Sequence, residues 1–84
     1  MKNTKTQDTV TLDRLSPGDS GTVLDVDRSS PQGRRLMELG IVPGRRARML
    51  RCAPLGDPIE IGLPDSYLSL RRTEASLVRI AIDT

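Results

Sequence analysis

The stretch Arg34-Arg35-Leu36-Met37-Glu38-Leu39-Gly40-Ile41-Val42-Pro43-Gly44 decides how this chain folds. Leu36, Leu39 and Gly40 recur at helical spacing, and the residues after them cannot continue a helix. Gly40 stands where a helix takes a residue of positive φ just past its end. Pro43-Gly44 then turns the chain, proline fixing φ and glycine free to take either sign. Upstream, Ser29-Ser30-Pro31-Gln32 reads as a helix start. Ser29 is the expected cap, Pro31 suits the first turn and Gln32 holds the reciprocal capping-box position. A helix is therefore expected over Pro31 to Leu39. Arg34 and Glu38 form an i,i+4 pair on its solvent side, worth about 0.2–0.5 kcal/mol.

Outward from this helix the chain reads as strands. Before it, Val10-Thr11-Leu12 is a short edge strand, and Ser16-Pro17-Gly18-Asp19 is a turn. Gly21 to Asp27 follows as a strand in which Leu24 and Val26 alternate with Val23, Asp25 and Asp27. After the helix, Arg46 and Arg48 share one face of a strand and Ala47 and Met49 the other. The alternation breaks at Leu50, which predicts a bulge or bend. Ala53-Pro54-Leu55-Gly56-Asp57-Pro58 is a rigid loop, and Ile59 to Leu63 alternates cleanly. Pro64-Asp65-Ser66 connects it to Tyr67-Leu68-Ser69-Leu70. Arg71 to Ala75 is a single helical turn with Thr73 as its cap, and Leu77 to Ile82 closes as a strand. About five short strands, Gly and Pro turns and one inserted helix predict a mainly β fold, a small curled antiparallel barrel. The shared core is expected to comprise Ala47, Met49, Ile59, Ile61, Leu68, Leu70, Val78 and Ile80, with the helix over one barrel end.

With 84 residues there is room for one domain. Residues 1–9 are expected to be a loosely held polar leader and residues 10–84 the domain. The leader lacks the apolar region of a signal peptide. No apolar run approaches the roughly 18 residues that span a bilayer, so the chain is not expected to cross one. Tyr67 is the only aromatic residue, so the core must be aliphatic. The same lack argues against single-strand nucleic-acid binding, which relies on aromatic stacking. Thirteen basic residues face eleven acidic ones, a net charge of +2, so no general nucleic-acid affinity is expected. The lone Cys52 excludes an internal disulfide and fits a reducing cytosol.

The chain has no histidine, the commonest general base and transition-metal ligand. Cys52 therefore has no imidazole partner and reads as a small hydrophobe. Gly40 to Gly44 is too short for a phosphate loop and lacks its lysine. No enzyme activity and no resident cofactor are expected. Asp25 and Asp27 are weak candidates for a divalent cation, the alternative being a solvated strand face. Arg45, Arg46, Arg48 and Arg51, with Arg71 and Arg72, read either as a site for an anionic partner or as a solvated edge that blocks aggregation.

Taken in order, these motifs resemble the FeoA family of small accessory proteins in bacterial ferrous iron uptake. Arg34 to Gly44 resembles the family's helix-and-turn signature. The loop Ala53 to Pro58 resembles its second motif, and Leu68-Ser69-Leu70-Arg71-Arg72 with Glu74-Ala75 its third. Leu12 to Gly21, with Pro17, Gly18 and Gly21 in its run from Leu15 to Gly21, is similar to the family's opening. The resemblance spans roughly residues 10–82 and departs from the family at Pro64-Asp65-Ser66, where a shorter, glycine-containing turn is usual. It implies an SH3-like barrel in the cytoplasm that acts on FeoB, the membrane GTPase that carries Fe(II). A similarity to the C-terminal domain of iron-dependent repressors implies an alternative, a soluble metal-responsive regulator. Homo-oligomerisation is left open.

The helix end offers the best candidate docking surface. A helix on a small barrel buries about one face, and Leu36 should be its most buried residue. One or two of Met37, Leu39 and Val42 should then stay at the surface beside Arg34 and Arg35. Leu55 and Gly56, held by Pro54 and Pro58, would form a second wall. An apolar cluster rimmed by arginines has the composition of a protein-binding site.

Overall fold

The computed structural model describes residues 9–83. The proposed leader thus lies outside the described residues, except that Thr9 already pairs with Ala81 at the start of a strand. The chain runs β1 (Thr9–Thr11), a 3-10 turn (Leu12–Arg14), β2 (Ser20–Val26), α1 (Pro31–Glu38), β3 (Arg46–Cys52), β4 (Ile59–Leu63), β5 (Ser66–Leu70), the one-turn α2 (Arg72–Ala75) and β6 (Val78–Ile82). Among the described residues six strands, against the about five expected, form one antiparallel sheet in the order β1-β6-β2-β3-β4-β5. The sheet curls but stays open between β1 and β5.

The end of α1 follows from its sequence. Leu39 closes the helix, Gly40 adopts φ +110°, and its N–H donates to Met37 O at 3.0 Å. Ile41 N–H reaches back to Leu36 O at 3.0 Å. This is a Schellman closure, in which the residue after the glycine also packs on the last turn. Leu36 and Ile41 are both fully buried, so the closure ties the helix to the core. The Pro43-Gly44 turn is then fastened to β2, with Gly44 N–H donating to Val23 O and Val23 N–H to Arg45 O, both at 2.8 Å.

Helix starts differ from the expectation. The cap of α1 is Ser30, whose hydroxyl accepts from the N–H groups of Gln32 at 3.1 Å and Gly33 at 3.3 Å. Ser29 instead donates to Asp27 in the preceding turn. In α2 the cap position is Arg71 rather than Thr73, and Glu74 Oε1 accepts from Arg71 N–H at 2.8 Å. Arg34 makes no bond to Glu38; its guanidinium donates to Arg28 O at 2.9 Å.

Strand faces follow the two-residue period where the pattern is unambiguous. Ala47 and Met49 point inward, Arg46 and Arg48 outward, and the register shifts after Met49. In β2 the register shifts between Val23 and Asp25, so Val23 and Val26 are buried and Leu24 is exposed. The straight alternation expected there fails because the bulge absorbs one residue. The core is aliphatic, joining Leu12, Val23, Val26, Leu36, Ile41, Met49, Ile59, Ile61, Leu70, Val78 and Ile80; Leu68 is only half-buried. Gly21 sits where a Cβ would lie 2.4 Å from Ala81 O, so β2 and β6 can approach only through glycine.

Candidate docking surface

The helix end is only partly covered. Leu36 is buried, and Met37 and Val42 are half-buried, with Met37 packed against the core. Leu39 remains 44% exposed, and Arg34 and Arg35 are exposed. Leu55 is 97% exposed at the tip of its loop, with Gly56 beside it at φ +88°. Pro17, Gly18, Pro43, Gly44, Pro54 and Pro58 all lie in the connecting turns and loops.

A groove of about 340 Å³ brings some of these residues together. Arg35, Leu36 and Leu39 line one wall, and Pro58, Ser69, Leu70 and Arg71 the other, with Glu74 at one end. Leu55 and Gly56 do not line it. The sequence placed Ser69, Leu70, Arg71 and Glu74 in the third motif and Arg71 in a basic cluster, but gave none of them as part of a docking surface.

Arg72 explains why the 53–58 loop stands apart. Its guanidinium donates to Gly56 O, Asp13 O and Cys52 Sγ, the last at 3.3 Å, while its backbone N–H donates to Asp57 Oδ1 at 3.0 Å. One side chain thus clasps the loop to the 3-10 turn and to the end of β3. Arg72 is half-buried and turned inward, away from any anionic partner.

Of the other arginines in the two clusters, Arg45, Arg46 and Arg51 are each paired with a carboxylate. Arg45 pairs with Asp65 at 2.7 Å, Arg51 with Glu60 at 3.0 Å, and Arg46 with Asp83. Arg45 holds the Asp65 carboxyl below the ordinary carboxylate range, and Arg46, helped by Ser20, does the same for Asp83. Nor is β3 an edge, for it lies between β2 and β4. The edge-blocking role read from its arginines therefore does not apply.

Asp25 and Asp27 line one shallow groove with Arg79. Asp25 Oδ1 accepts from Val26 N–H at 2.9 Å, and its other oxygen lies 4.0 Å from the Arg79 guanidinium. Asp27 Oδ1 accepts from Ser29 Oγ at 2.6 Å and Ser29 N–H at 3.0 Å, which lower its pKa. Both carboxylates are engaged locally, and a guanidinium opposes any cation there. Among the described residues no three His, Cys, Asp or Glu side chains are grouped to hold a metal.

With this geometry in hand, the fold and its motifs define a small SH3-like module. A family model described as the FeoA domain matches residues 10–82, and the chain belongs to that family. The FeoA protein of Chlorobium tepidum is 41% identical, with a TM-score of 0.79 over 89% of this chain and 71% of that one. The Stenotrophomonas maltophilia FeoA, complexed with zinc and described as a procaryotic SH3 domain protein, is 32% identical, with a TM-score of 0.74 over 88% of this chain and 89% of that one. A Porphyromonas gingivalis fusion of Fe(2+) transport protein A with the Fe(2+) transporter FeoB is 31% identical over 71 residues, 84% of this chain. The chain spans 8% of the length of that fusion protein. A manganese-dependent transcriptional repressor shares the fold alone, at 22% identity and a TM-score of 0.79. Among the described residues no helix is long and apolar enough to cross a membrane.

Proposed function

We propose that the protein is a non-catalytic cytosolic accessory protein of ferrous iron uptake that binds and modulates a FeoB-type transporter GTPase. One observation carries the reading: in the Porphyromonas gingivalis relative, a domain similar to this chain is covalently joined to FeoB. Fusion of two chains raises their effective concentration, which is useful only where the parts work on one another. The surface suits this role, since Leu39 is an exposed aliphatic beside Arg35 and Arg71, and Leu55 is a second exposed aliphatic. A chain without histidine lacks the commonest general base, in keeping with a non-catalytic role.

The test is co-purification of a recombinant FeoB cytosolic region on this protein as bait, with GTP hydrolysis followed in its presence and absence. Retention together with an altered hydrolysis rate supports the reading; no retention and an unchanged rate remove it. Leu39→Asp and Leu55→Asp, both at exposed positions, are expected to weaken retention at an unchanged unfolding midpoint. Met37→Ser should lower the midpoint, because Met37 packs on the core. Loss of binding only in unfolded variants would make these side chains structural.

A further inference from the structure

The sheet ends at β1 and β5. Exposed edges are usually blunted by charge, proline or a bulge. β5, Ser66-Tyr67-Leu68-Ser69-Leu70, carries none of these and pairs with β4 in unbroken register. The hairpin closes on Pro64-Asp65, with Leu63 opposite Ser66. Antiparallel pairs alternate between hydrogen-bonded and non-hydrogen-bonded, starting from the bonded pair at a two-residue turn. Leu63–Ser66, Ile61–Leu68 and Ile59–Leu70 belong to the first class. The N–H and C=O of Tyr67 and Ser69 therefore point to the open side, where no described strand pairs with them.

The groove beside α1 reaches this same edge. Ser69 and Leu70 are successive strand residues whose side chains point to opposite faces, yet both line it. Pro58 and Arg71 line it as well, so the groove lies at the C-terminal end of β5, where Ser69 stands on the open edge. Leu36 and Leu39 form its apolar wall, and Arg35 and Arg71 its basic rim. Neither arginine has an acidic partner within 4 Å among the described residues. Glu74 is engaged by Arg71 N–H.

We infer that the groove takes up an extended acidic segment of the partner, which adds to β5 as a further strand. Its main chain would bond Tyr67 and Ser69, an apolar side chain would rest on Leu36 and Leu39, and a carboxylate would meet Arg35 and Arg71. A second copy of this chain is the poorer occupant, because β5 has no acidic residue to set against these arginines. The inference rests on the docking reading above and adds the mode of binding and the chemistry of the bound segment.

The probe is an acetylated, amidated hexapeptide of alternating Glu and Val, titrated into the isotope-labelled full chain, with a Lys–Val counterpart as control. The acidic peptide is expected to shift the Tyr67, Ser69 and Leu39 amides and to slow exchange at Tyr67 and Ser69, and the basic peptide is not. Arg35→Glu with Arg71→Glu should abolish the shifts while a thermal scan shows the fold intact. Ser69→Pro, tolerated where the N–H faces outward, should abolish them too. No shift, shifts elsewhere, or equal shifts with the basic peptide would overturn the inference. Because the probe contains no part of the transporter, its failure leaves the co-purification result standing, and failed co-purification leaves the peptide result standing.

Discussion

Gly33 shows at the scale of one residue how packing overrides propensity. It lies inside α1, where alanine would ordinarily stabilise by about 0.5–1 kcal/mol. A Cβ at this position would sit 1.9 Å from Asp27 O, a backbone atom that cannot step aside cheaply. Overpacking of this kind costs about 1–3 kcal/mol, so Gly33→Ala should lower the urea midpoint. A rise would mean that the helix shifts freely over β2. Arg72 presents the opposite case, a long side chain with several bonds. Arg72→Ala should cost about 1.5–3 kcal/mol, since it strands the carbonyls of Gly56 and Asp13. Arg72→Lys should recover little, because a point ammonium cannot span three acceptors as a planar fork does. Full recovery with lysine would show that charge alone holds the loop. Nothing in the sequence marks this clasp. Its acceptors are main-chain oxygens 16 and 59 residues away, and every residue has such an oxygen.

Elements are legible where one pattern excludes its rivals. In β3 the order Arg46-Ala47-Arg48-Met49 permits only one face inward, and the break at Leu50 marks the bulge. In β2 the run Val23-Leu24-Asp25-Val26 is compatible with two registers, and only pairing with β6 selects the bulged one. The start of α1 is ambiguous for a similar reason, as two serines precede Pro31. The structure assigns the cap to Ser30, so Ser30→Ala should cost about 0.5–2 kcal/mol in thermal or urea unfolding. Ser29→Ala removes only an exposed turn bond and should cost less. Equal losses at both positions would place the helix start one residue earlier. For the candidate site, Leu39 and the arginines beside it were readable from helical spacing, whereas the β5 wall was not. A sheet edge is a property of strand order, which no local pattern encodes.

For the molecule as a whole, charge is arranged in local pairs over an uncharged core. Among the described residues no polar or charged residue is buried. Stability should accordingly depend little on pH near neutrality, where no histidine is present to titrate. Asp27, Asp65 and Asp83 are each held below the ordinary carboxylate range, by Ser29, Arg45 and Arg46 respectively. Their folded pKa values lie below the unfolded value of about 3.9, so the ionised groups stabilise fully above it. That contribution is lost as pH falls through the lowered folded values. A urea midpoint followed from neutral to acid should stay level and then fall below about pH 4. A midpoint that rises on acidification would contradict the pairing.

Tyr67 gives β5 an optical consequence. It is the chain's only aromatic ring, and it is already 68% exposed in the folded protein. Unfolding moves it from one watery setting to another, so intrinsic emission should be nearly blind to denaturation, and circular dichroism must follow that transition. Anything laid along β5, by contrast, changes the surroundings of the one fluorophore present. The same tyrosine that is useless as a folding gauge is thus a label-free reporter of occupancy at this edge.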